Sequence, residues 1–202
     1  MDLDPKDLID QAAEATQARE SSAMRLNAAV AITVAVLATF MGICKVKDDN
    51  IVQAMQQAQA DKLDHWAYYQ SRNLRVDVAE STATQLELAK AGAANTQAAA
   101  YDQAIANYRA KAADQARKRD DLKTQAETDQ KTYDSLNYRD DQFDLSDALL
   151  AIAIALLAVT ALTRLWPLFF VALVPTFFGV LMGVAGLAAL PIHPDALIKL
   201  LS

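Results

Sequence analysis

Proline is missing from residues 6–166 of this 202-residue chain, and between Ile43 and Phe178 glycine occurs once, as Gly92. These are the residues that interrupt a regular backbone most strongly. Their scarcity leaves room for one turn and excludes more. A single cysteine, Cys44, excludes an intrachain disulfide and leaves the redox compartment open. The two histidines, His65 and His193, stand far from each other and from Cys44. A zinc site wants three or four ligands at short spacing, so none is expected. No nucleophile motif, phosphate-binding glycine loop or haem-attachment motif occurs, so neither an enzyme nor a cofactor is expected. The net charge is −6, with no basic stripe interleaved with aromatics, which excludes a nucleic-acid surface.

Charge is absent from three stretches as well. Residues 26–44 carry none, nor do 148–163, nor 165–194 with His193 neutral. The composition is 53% hydrophobic and 22% charged, two figures compatible only if the apolar residues are segregated. A bilayer core of about 30 Å needs about 20 helical residues. Transmembrane helices are therefore expected over 26–46, 145–166 and 167–190, with lipid as the partner. Three buried helices of a soluble core would need amphipathic helices to cover them, and the rest of the chain is too polar. The 25 residues before the first run carry more acidic than basic groups, unlike the short basic start of a cleaved leader, so a retained anchor is expected. No charged residue lies inside the runs, which argues against a transporter or proton path.

The polar stretch 47–144 reads as a soluble helical hairpin with its turn near 92–95. Gly92 suits the left-handed position after a helix, and Asn95 or Thr96 can cap the next one. Each arm is roughly 65–70 Å long. The helices are expected to run nearly unbroken through 44–49 and 140–147. The second arm carries a 4-3 track that starts Tyr101, Ile105, Tyr108, Ala112 and passes Arg119 on its way to Leu136, the mark of an antiparallel coiled-coil seam. Apolar residues of the first arm, among them Val52, Leu63, Trp66, Tyr69, Leu74, Val78 and Leu88, spread over more than one face. One face would serve the hairpin mate and another a neighbouring subunit; slack packing in a single two-helix coil is the alternative. With the turn centred at 92–93, Trp66 faces Arg119 in a cation–π stack, Leu63 faces Leu122, and Val52 faces Tyr133. Residues 1–25 read as an amphipathic helix or tail, capped by Asp4-Pro5 and striped by Leu8, Ile9, Ala12, Ala13 and Thr16. Residues 191–202 form a C-terminal tail. The fold class is thus an all-α membrane protein with three transmembrane helices and a long hairpin.

Three groups are candidates for function. Trp66, Tyr69, Tyr101 and Tyr108 are expected to pack helices or subunits. Gly179, Gly183 and Gly186 form a GxxxG face that packs either the spans of one subunit or neighbouring subunits. Asp140, Asp144 and Asp147 share one helical face. They pair with Lys45 and Lys47, or ring the mouth of an oligomeric pore and concentrate cations, or bind calcium.

The run Trp66-Ala67-Tyr68-Tyr69-Gln70-Ser71, and Ala161-Leu162-Thr163-Arg164 followed by Trp166, resemble the signatures of a bacterial inner-membrane family known only as a domain of unknown function. The order of elements is similar: one span, a charged helical stretch, then two spans. The resemblance implies the architecture and a bacterial inner membrane, and brings no catalytic residues. The family's last turn is more basic, implying a cytoplasmic side; here Arg164 is its one cation. Arg19 and Arg25 oppose Lys45, Lys47, Arg139 and Lys199, close to a tie. The expectation is a cytoplasmic N-terminus and a periplasmic hairpin. The chain is expected to be a non-enzymatic homo-oligomer acting as a scaffold or interaction module. A channel with an acidic mouth and an accessory subunit of a larger membrane complex, bound to other membrane proteins, are the alternatives.

Overall fold

The computed structural model describes residues 5–192. Asp4, His193 and the tail beyond it lie outside the described residues, as do the side chains of Leu8, Ile9 and Ala12. Three α-helices account for nearly all of the rest: α1 (Pro5–Ala91), α2 (Ala98–Thr163) and α3 (Trp166–Ala188), with a 3-10 turn at Asn95–Gln97. No strand occurs among the described residues. Helix is continuous through 44–49 and 140–147, as the absence of breakers predicts. Each of the three helices contains a segment long and apolar enough to cross a membrane.

The chain divides into two units, one made of residues up to Ile51 with those from Tyr138 on, the other of Val52–Asn137. The first is a three-helix bundle. Leu26, Val30 and Leu37 of α1 meet Leu150, Ala153 and Leu157 of α2 and Ala172 of α3. Spacings of three, four and seven put such residues on one helical stripe. α2 ends at Arg164, whose φ of 56° is left-handed and whose N–H donates to the Thr160 carbonyl at 2.9 Å. Pro167 follows in the first turn of α3, where its missing N–H leaves no hydrogen bond unmade. The Trp166 indole N–H donates to Ser22 Oγ at 3.1 Å and ties this turn to α1.

Gly179, Gly183 and Gly186 are buried within the chain. A Cβ at Gly179 would lie 2.8 Å from Leu150 Cγ; at Gly183, 2.7 Å from the Phe40 ring and 2.8 Å from Ser146 Oγ; at Gly186, 2.9 Å from the Phe143 ring. The glycine face thus closes α3 onto its own chain's α1 and α2.

The second unit is the hairpin. Its turn differs from the sequence expectation. No glycine among the described residues has a positive φ, so Gly92 is not left-handed. Two i→i+3 bonds close the helix instead, from the Gly92 N–H to the Ala89 carbonyl at 3.2 Å and from Ala93 to Lys90 at 3.1 Å. Asn95 and Thr96 do not cap α2; they lie inside the 3-10 turn, whose own N-cap, Ala94, offers no side-chain bond.

Two glycine substitutions separate packing from backbone freedom. Gly179→Ala must displace Leu150 and is expected to cost about 1–3 kcal/mol. Gly92→Ala meets only the Ala89 carbonyl at 3.8 Å. It is expected to be neutral or to stabilise by about 0.4–1 kcal/mol, through a less flexible unfolded chain. Thermal melts of the purified protein, followed by helicity, check both.

Candidate functional site

Within the hairpin the two arms run antiparallel. The cross-arm bonds are Lys62 Nζ to Gln130 Oε1 at 2.5 Å, His65 Nδ1 with Asp129 Oδ2 at 2.7 Å, Arg72 to Gln115 Oε1 at 2.7 Å, Arg119 to Asn73 Oδ1 at 3.1 Å, and Arg109 to Glu87 Oε1 at 2.5 Å. Lys90 pairs with Asp102 next to the turn. This register is displaced by roughly two helical turns from the one expected of a turn centred at Gly92. The physical reason is the turn itself, which takes in the extended Ala94 and the 3-10 residues before α2 begins. Arg119 therefore meets Asn73, and the cation–π stack on Trp66 does not form. Trp66 instead packs edge-on against Tyr69, centroids 5.2 Å apart at 78°.

Every position of the 4-3 track on the second arm is buried or half-buried, Tyr101 and Tyr108 included. The first arm has a matching 4-3 track that apolar residues alone did not reveal. Met55, Ala58, Val76, Ala79 and Ala83 are its buried members. Lys62, His65, Tyr69, Arg72, Leu86 and Lys90 continue it, all half-buried. Four of those six are cations or histidine, each bonded across to a polar residue of the second arm. The signal was periodicity of position, masked because long basic side chains lay their stems along the seam.

Asp140 and Asp144 lie beside a carboxylate that the sequence did not single out, Asp48 of α1. Asp48 is only 5% exposed, and its Oδ2 accepts from Lys45 Nζ at 2.9 Å. Lys45 also reaches Asp49 at 3.3 Å. The expected pairing of Lys45 and Lys47 with Asp140, Asp144 and Asp147 therefore does not occur; Lys45 is taken by its own helix. Asp147, Asp144, Asp48 and Lys45 line a cavity of about 20 Å³, with Cys44 and Phe143 among its walls. Burial, the side-chain hydrogen bond with Asp48 and the nearby Asp144 charge push Asp140 up to about 7. Partial withdrawal from water and the charges of Asp48 and Asp141 also raise Asp144. Asp48 Oδ1 is buried without a hydrogen-bond partner, and Asp140, held toward its neutral form, is its neighbouring acid. Among the described residues no group of three or more His, Cys, Asp or Glu is placed to hold a metal ion.

Beside Asp140 on α2, Arg139 holds the end of α3 and Gln142 the residues that follow it. Arg139 Nη2 donates to the Gly186 carbonyl at 2.9 Å. Gln142 Nε2 donates to the Leu190 and Ile192 carbonyls at 2.9 and 2.6 Å. The last carbonyls of a helix lack intrahelical partners, and a cation there also suits the helix dipole. Neither residue stood out in the sequence, because its partners are backbone atoms.

These features define an all-helical protein with three helices long and apolar enough to cross a membrane and a long polar helical pair. Residues 26–189 match the family described as a domain of unknown function, DUF4337, and the chain belongs to it. No curated protein and no solved structure matches the chain.

The Asp140 shift has a sign. Its pKa is higher in the folded protein than the ordinary 3.8 of the unfolded chain, so folding takes up a proton between those values. Stability from this group is full below pH 4, falls as pH rises towards 7, and is lost above it. Asp140→Asn is expected to flatten that fall and to raise the melting temperature at pH 8 relative to the parent. Melts at pH 4.5 and pH 8 read both; a slope unchanged by the substitution contradicts the assignment.

Proposed function

We propose that this protein is a three-span integral membrane protein of the bacterial inner membrane. It acts as a non-enzymatic homo-oligomeric scaffold, or interaction module, through a coiled-coil hairpin in the periplasm. The observation that carries the reading is apolar surface that none of the described residues covers. In the most apolar windows of α1, α2 and α3 only 17%, 33% and 28% of residues are buried. Exposed Ile32, Val36, Ile43, Val174, Phe177 and Phe178 belong to these segments. A soluble protein does not expose contiguous apolar surface of this extent, whereas lipid covers it at no cost and the helices satisfy their own backbone. The N-terminus and the Arg164 turn are assigned to the cytoplasm on the strength of Arg19, Arg25 and Arg164.

The scaffold reading is supported by where the hydrogen bonds and ion pairs go. Seam cations, the Asp48 group and the Arg139–Gln142 contacts all link helix to helix. The three-glycine face is used inside the chain, which leaves the hairpin as the surface for association between copies.

Native mass spectrometry of the full-length protein, extracted from its own membrane, tests the proposal. The expected result is a homo-oligomer of defined subunit number with no stoichiometric second protein. A strict monomer removes the scaffold reading, and a different protein in fixed ratio replaces it with an accessory role.

A further inference from the structure

We propose that the outer face of the first hairpin arm is the contact surface for a second copy of this chain, with the two arms packed in the same sense. The proposal rests on the homo-oligomeric reading above and names the residues that carry it. At about 100° per residue, Leu63, Ala67, Leu74, Val78 and Leu88 fall on one stripe, on the side of the arm opposite its buried seam. Leu63, Leu74, Val78 and Leu88 are 59%, 64%, 58% and 71% exposed. The positions between them on the stripe are Gln70, Ser81 and Gln85, and Val52, Gln56 and Ala60 extend it toward the start of the arm. From Val52 to Leu88 its named positions are all uncharged, with Asp77 at its edge.

The second arm shows what a solvated face of this hairpin looks like. Its exterior is dense in charge, with Asp114 bonded to Lys118 at 2.7 Å and Lys123 near Glu127 at 3.9 Å, each one helical turn apart. Such pairs are the ordinary dress of a helix face in water. An uncharged leucine and valine stripe on the other arm of the same hairpin is a contact face.

Charge selects the occupant. Arg75 lies on one border of the stripe and Asp77 on the other, within half a turn of each other along the arm. Both are exposed, and neither makes an ion pair among the described residues; Asp77 accepts only a long 3.4 Å bond from Asn73. When two such stripes pack in the same sense, opposite borders meet, as e and g positions do in parallel coiled coils. Each Arg75 then lies beside Asp77 of the other copy, twice over by symmetry, and Leu63, Leu74 and Leu88 meet their own counterparts. Packing in the opposite sense brings like borders together and sets Arg75 against Arg75. The same-sense arrangement is also the one shared by copies inserted the same way round in one bilayer.

Disulfide trapping in the native membrane tests this. Leu74→Cys is made in the full-length protein, with the parent and its buried Cys44 as background. Mild oxidation is expected to link Leu74→Cys into a two-chain species well above background, while Thr128→Cys on the charged exterior of the second arm stays at background. Adding Arg75→Asp is expected to cut the linked fraction several-fold, and adding Asp77→Arg to that variant to restore it. These side chains are exposed, so helicity equal to the parent is the fold control. An oligomer by native mass spectrometry with Leu74→Cys at background overturns the stripe and leaves the homo-oligomeric reading standing. A link from Leu74→Cys to a protein of different mass overturns it in favour of another partner, and a monomeric parent removes both.

Discussion

Three glycines on one face of α3 let its backbone lie directly against Leu150, Ser146 and Phe143 of α2 and Phe40 of α1. Helices that are apolar all round offer one another many equivalent faces, so close contact and directed hydrogen bonds set the arrangement. The Ser146 hydroxyl can reach the Gly179 carbonyl at 2.8 Å only because no side chain stands between them. The same closeness brings the end of α3 under Arg139, which answers the Gly186 carbonyl, and the residues after it under Gln142, which bonds the Leu190 and Ile192 carbonyls. Packing, buried hydrogen bonding and the helix end therefore stand or fall together in the bundle.

The hairpin is held by a different balance. Its seam mixes alanine, valine and methionine with lysine, arginine and histidine, each of the latter aligned with a carboxylate or amide across the interface. Half-exposed pairs of this kind contribute little each, typically under about 1 kcal/mol. They do fix register, since a slip moves every cation away from its partner. Alanine at 58, 79, 83, 112 and 126 brings the two backbones close where the seam is fully buried. The first arm thus mixes cations with apolar residues toward its mate and exposes further apolar residues, Leu63, Leu74, Val78 and Leu88, away from it.

The acidic group shows how a local competitor redirects a pairing that looks right in sequence. Lys45 has carboxylates three and four residues ahead on its own helix, and those distances are shorter to close than any across the bundle. With the lysine taken, Asp140 faces Asp48 as one acid to another, and partial burial beside that neighbour raises the pKa of Asp140.

The sequence by itself determined the helices, their lengths and the one turn, because the lack of proline and glycine acts residue by residue. It also determined the three apolar runs, and the second arm's seam, whose apolar members repeat without interruption. Family membership was legible in the Trp66–Ser71 run and the Thr163–Trp166 turn. Only the tertiary structure decided the turn's geometry and with it the register, because one extra 3-10 turn shifts every pair along both arms. It alone assigned the three glycines to contacts within the chain, exposed Asp48 as the carboxylate that matters to Asp140, and set Arg139 on a carbonyl of α3 and Gln142 on carbonyls just past its end. Those choices depend on which atoms meet across helices distant in sequence, and a hydrogen bond to a backbone carbonyl leaves no mark on the identity of the residue that supplies it.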